Sequence, residues 1–176
     1  MRHSLIIVTA ALCAAMFASA TAAKAQMKAR FLDDTWTGDK IPEGQNCSRY
    51  GGAGATPPLI IDDVLEYADG IVLEFNDESY TPMDKGGHGI IAFKIDSQRP
   101  VRLPAVPGET NDLPDGVIKI KSHKAKSKPY TPDTAYLPPC SGGMGNKYTI
   151  SVQAVQFASD GRYTVLKRTK ITMGKY

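Results

Sequence analysis

Apolar and polar positions alternate with a period of two along several stretches of this chain. Gly70-Ile-Val-Leu-Glu-Phe75 puts Ile71, Leu73 and Phe75 on one face, the spacing of a strand. Tyr148, Ile150, Val152 and Ala154 alternate with Thr149, Ser151 and Gln153, a half-buried strand pattern. Gly89-Ile-Ile-Ala-Phe-Lys-Ile95 is a near-continuous apolar run, as expected of a strand covered on both sides. Residues 163–173 are rich in β-branched side chains and predict a closing strand, and Leu59-Ile-Ile61 reads as a further short one. Residues 62–68 are the one helix candidate. Strands punctuated by Gly and Pro predict a mainly β, antiparallel sandwich or barrel with little helix. Two connections are long and carry four prolines each, residues 96–116 and 121–147. Loops of that length without structure of their own are usually functional or mobile.

The first 25 residues stand apart from this pattern. Arg2 and His3 form a short polar start, residues 5–20 are apolar or small, and Ala23-Lys24-Ala25 offers a cleavable bond. This is the layout of a secretory signal peptide cut before Gln26, which leaves residues 26–176 as one domain. No later stretch reaches the roughly 18 to 20 apolar residues of a spanning helix. The mature chain is expected to be exported, to a periplasm or beyond. Its charge is nearly balanced: Arg2 and Lys24 leave with the leader, so 21 basic against 18 acidic residues becomes 19 against 18. A near-neutral chain argues against nucleic acid as a partner. Cys13 also leaves, and Cys47 and Cys140 remain. In an oxidising compartment they most simply pair, the alternative being two buried thiols.

The candidate chemistry gathers at strand ends. Tyr136-Leu-Pro-Pro-Cys140-Ser-Gly-Gly-Met-Gly-Asn146-Lys-Tyr148 sets a proline-fixed turn beside a glycine loop. Pro removes backbone donors and Gly lets backbone approach a ligand, so the stretch reads as a pocket rim or as an ordinary turn. His88, in Lys85-Gly-Gly-His-Gly89, is placed to donate to an anion, or else is a turn histidine satisfied by backbone. Asn76-Asp-Glu-Ser79 ends the neighbouring strand, where its carboxylates either orient His88 or form a solvated turn. Lys119, Lys121, His123, Lys124, Lys126 and Lys128 form a basic run, read as a lysine-guarded edge strand or as a landing patch for an anionic headgroup or protein. Gly51-Gly-Ala-Gly54 lacks the Lys-Ser/Thr ending of a phosphate loop, and no Gly-x-Ser-x-Gly elbow is present. With two mature histidines, and thiols that a bridge would consume, no metal site or cofactor is expected, and the chain is not expected to be an enzyme.

Read in order, seven short motifs resemble the phosphatidylethanolamine-binding protein family, in its bacterial Raf-kinase-inhibitor-like branch. Ile41-Pro-Glu-Gly-Gln-Asn-Cys47 is similar to the family's Ile-Pro…Thr-Cys opening, and Thr56-Pro-Pro-Leu59 to its Ser-Pro-Pro-Leu. The strand from Ile71 to Ser79 resembles the one ending in Asp-Pro-Asp-Ala-Pro. His88-Gly-Ile-Ile91 resembles His-Trp-Val-Val, and Leu113-Pro-Asp-Gly116 resembles Leu-Pro-x-Gly. The stretch from Tyr136 to Tyr148 resembles Tyr-x-Gly-Pro-Cys-Pro-Pro-x-Gly…His-Arg-Tyr, and Leu166 to Tyr176 the closing strand.

The resemblance implies a β-sandwich with Greek-key connections and a small pocket for an anion or a phospholipid headgroup. Carried over, the ligand-binding residues are Asp77, Ser79, His88, Tyr136, Pro139, Cys140 and Asn146. Asp77 and His88 form an oriented pair, Tyr136 and Asn146 donate to the ligand, and Cys140 pairs with Cys47. Ser79 stands where the family has its second aspartate and Asn146 where it has its second histidine. The tryptophan after His88 and the usual late helix are missing. The expected function is recognition of a small anion or phosphorylated headgroup without catalysis. The alternative is a protein-interaction or inhibitor module that uses the long loops and the lysine run, with the pocket inactive.

Overall fold

The computed structural model describes residues 26–126, 130 and 132–176. The expected signal segment, Cys13 and Lys128 lie outside the described residues. Eight strands run in chain order: β1 Lys28–Phe31, β2 Leu59–Asp62, β3 Gly70–Asp77, β4 Ile90–Lys94, β5 Val101–Leu103, β6 Val117–Lys121, β7 Lys147–Phe157 and β8 Tyr163–Lys175. They form a three-stranded sheet, β1-β2-β5, and a five-stranded sheet, β6-β4-β3-β7-β8, with every pairing antiparallel. Among the described residues helix is confined to two 3₁₀ turns, Ser48–Tyr50 and Thr81–Met83. Among the described residues no helix is long and apolar enough to cross a membrane.

The period-two faces read from the sequence meet in one apolar cluster. Ile71, Leu73 and Phe75 of β3 and Ile150, Val152 and Ala154 of β7 are buried there, beside Ile91 and Phe93 of β4. Leu59, Ile61, Val101 and Leu103 enter the same cluster from the other sheet. Burying an aliphatic or aromatic side chain of this kind contributes about 1.5–3 kcal/mol, so the two layers are held chiefly by this seam. Strands β3 and β7 pair from Gly70↔Val155 to Asp77↔Tyr148, which carries both chains to one end of the sheet together.

Two expectations are corrected, and one strand was unforeseen. Residues 62–68 form no helix: Asp63 has a positive φ of 56°, and the Leu65 and Ala68 carbonyls accept from the Arg99 guanidinium at 3.2 and 3.1 Å. Those carbonyls are thereby satisfied without a helical ladder. Residues 96–116 are not wholly irregular, because β5 lies within them and pairs with β2. Its alternation, buried Val101 and Leu103 about exposed Arg102, is three residues long and flanked by prolines, too short to register as a period. Strand β1 was not foreseen either, since in Lys28-Ala-Arg-Phe31 only Ala29 and Phe31 pack against the core, partly buried between exposed Lys28 and Arg30, too short an alternation to register. The basic run divides. Lys119 and Lys121 lie on β6, an edge strand as read, whereas Lys124 turns toward the strand ends, its amide donating to Gly87 O at 2.8 Å.

Candidate functional site

The end of β3 delivers Asp77, 3% exposed, beside the start of β7. Its Oδ1 accepts from the amides of Ser79 and Tyr80 at 2.9 and 3.1 Å, which fixes the turn that follows. Its Oδ2 accepts from Asn146 Nδ2 at 2.7 Å. The amide thus stands against the carboxylate and points the Asp77–Asn146 pair along one direction. Ser79 faces the same opening, with its hydroxyl accepting from the Lys147 amide at 3.0 Å.

His88 is set by glycine on its far side. Gly89 has φ of 112°, and a Cβ there would sit 2.1 Å from Ala135 O, so only glycine lets the 135–137 segment close onto this strand. That closure donates Leu137 N–H to His88 O at 2.9 Å and places the Leu137 carbonyl 2.8 Å from His88 Nδ1. A carbonyl only accepts, so Nδ1 carries the proton and Nε2 of the neutral ring is left as an acceptor. Burial, the dominant cause, pulls the His88 pKa down to about 4 despite the nearby Asp77 carboxylate, so the ring is neutral at pH 7. The Tyr148 ring meets it edge-on at 5.2 Å. Burial likewise pushes the Tyr148 hydroxyl up to about 12, so it stays protonated, and its oxygen accepts from the Cys140 amide at 3.1 Å.

Cys47 and Cys140 form a disulfide with Cα atoms 5.3 Å apart. The bridge, with Cys47 N–H donating to Pro139 O at 3.0 Å, brings the Ser48–Tyr50 turn against the Pro-Pro-Cys turn. Arg49 and Tyr50 thereby join the site. The Arg49 guanidinium lies 5.4 Å from the ring centroids of both Tyr50 and Tyr130, and donates to the Tyr130 hydroxyl at 2.9 Å.

These elements enclose a cavity of about 670 Å³ lined by Asp77, Ser79, His88, Cys140 and Asn146, five of the seven predicted residues. Tyr136 and Pro139 lie elsewhere. They face a narrow void behind His88 and Tyr148, where the Tyr136 ring packs 4.4 Å from Phe75 and is 1% exposed. Its buried hydroxyl has no hydrogen-bond partner among the described residues, and burial raises its pKa well above the tyrosine range. Sequence reasoning missed Arg49, Tyr50 and Tyr80 as lining residues, whereas Ser141, Met144 and Tyr148 belong to the stretch read as a pocket rim. The cysteine pairing was the available signal for the first two, because it places residues just after Cys47 at the Cys140 turn. Lys124 and Lys126, from the basic run, also reach the cavity. A second cavity, of about 380 Å³ around Arg99 and Arg102, holds none of the predicted residues.

The floor is therefore rich in acceptors, Asp77 and His88 Nε2, with amide and hydroxyl donors beside them, and its mouth is basic. Such a floor suits a group that brings its own proton or an ammonium, while the mouth suits an anion. No family model and no curated protein matches the chain. Among solved structures it is similar to a protein from Chlamydia trachomatis described as a phosphatidylethanolamine-binding protein homologue, with 18% identity and a TM-score of 0.49 over 86% of this chain and 97% of that one.

Proposed function

We propose that this is an exported, non-enzymatic binding protein of the phosphatidylethanolamine-binding type, built as a Greek-key sandwich. It recognises a small phosphorylated group, best a zwitterionic one, in the Asp77–His88 cavity. The observation that carries this reading is the pairing of an acceptor floor with a cationic mouth in one cavity. A bare dianion meets the Asp77 carboxylate and an unprotonated His88 Nε2, both unfavourable. An ammonium or a P–OH can donate to them, while the phosphate oxygens reach Arg49, Lys124 or Lys126, and hydrogen bonds to ionised groups are the stronger kind. The Ser141 hydroxyl donates its proton to the Tyr176 main-chain oxygen, which commits it away from His88.

The test is an NMR titration of residues 26–176 with phosphate and with phosphorylethanolamine. Saturable shifts at Asp77, Ser79, His88 and Asn146, stronger with phosphorylethanolamine, are expected. No shift at millimolar concentrations of either compound defeats the reading.

A further inference from the structure

We propose that the mouth of this cavity is a docking surface for an anionic lipid bilayer. The inference goes beyond the pocket reading and does not depend on it. Five large apolar or aromatic side chains stand exposed among the described residues: Leu32, Tyr50, Tyr67, Tyr80 and Met144. Three of them, Tyr50, Tyr80 and Met144, line this one cavity, with exposures of 42, 54 and 76%. An exposed residue taken singly needs no explanation, but a cluster about one opening marks an interaction site.

Charge selects the partner. Arg49, Lys124 and Lys126 share the lining with a single carboxylate, Asp77, which is buried and already accepts from Ser79, Tyr80 and Asn146. Three cationic side chains thus line the cavity against one carboxylate that is already engaged. The cations are interleaved with aromatic rings, as the placing of Arg49 between Tyr50 and Tyr130 shows. Tyrosine presents an apolar body with a polar tip and lysine an apolar stem with a charged head, so both fit the boundary between headgroups and acyl chains. Basic residues near an anionic leaflet add attraction.

Met144 favours a bilayer over a folded partner. It stands between Gly143 and Gly145, where an added Cβ would meet no heavy atom within 4 Å, so this loop tip lies in open space. Against a structured protein surface a glycine-flanked tip must be ordered, at an entropic cost. A fluid interface accepts the thioether in many geometries.

Sedimentation with phosphatidylcholine vesicles, with or without phosphatidylglycerol, tests this, since neither lipid carries ethanolamine. The wild-type chain is expected to bind the anionic vesicles at least about tenfold more tightly than the neutral ones, and to release at high salt. Met144→Asp and Lys126→Glu each weaken binding by about fivefold or more, while Met144→Leu binds as wild type does. Both positions are exposed, and unchanged thermal midpoints will show that the variants fold. Absence of wild-type binding, or binding that Met144→Asp and Lys126→Glu leave intact, overturns the proposal. Vesicle binding that persists in a chain giving no NMR shift with phosphorylethanolamine sinks the pocket reading and leaves docking standing.

Discussion

A buried neutral histidine beside a carboxylate leaves a signature in stability. The folded-state pKa of His88 is about 4, below the ordinary 6.5. Between those values the unfolded chain binds a proton that the folded chain refuses, so stability rises with pH across the window. The contribution is complete above pH 6.5 and is lost as pH falls through 4, a change of about 3 kcal/mol at most. Urea denaturation followed from pH 7 to pH 4 is expected to show this fall, and His88→Asn to flatten it. Glu78, lowered to about 2 by its bonds to Lys170 and Lys147, acts in a separate window below 4.5. At this scale the sequence told which stretches meet but not which side chain of each faces the cavity. The glycines around His88 and the strand end at Asp77 marked the place. The void that takes Tyr136 away from the cavity was illegible, because it follows from the ring's packing on Phe75 across the core.

At the scale of elements, legibility followed the depth of burial. Strands β3, β4 and β7, with one or both faces in the core, announced themselves through their apolar periods, whereas β1 and β5 exist through their pairing with β2. Local pattern cannot report a partner distant in sequence. The junction of β3, β4 and the 135–137 segment is the tightest place in the site. Gly89→Ala would set a methyl group 2.1 Å from Ala135 O at a φ that disfavours any side chain, and is expected to cost at least about 3 kcal/mol. Thermal denaturation measures that loss, and hydrogen exchange should find the Leu137 amide deprotected first, since its bond to His88 O spans the junction.

For the molecule as a whole, the pairing of Cys47 with Cys140 was readable from their number and the expected compartment, while its position at the cavity rim came only with the fold. The bridge closes a loop of 93 residues and, in the chain-entropy model, stabilises by about 4 to 5 kcal/mol. Cys47→Ser with Cys140→Ser is expected to lose about 2–5 kcal/mol in guanidinium denaturation, and a loss well under 1 kcal/mol would show that the Ser48–Glu109 contacts hold the rim unaided. The strand order has a consequence in time. Strand β3 lies between β4 and β7, so a chain made from its N terminus has one neighbour of β3 early and the other late. Until residues 148–155 are synthesised, the longer of the two β3 ladders lacks its partner strand and the far flank of Ile71, Leu73 and Phe75 is bare. The nascent chain is then a client for whatever holds unfolded polypeptides, and the emergence of its C-terminal hairpin is the event that releases it to fold.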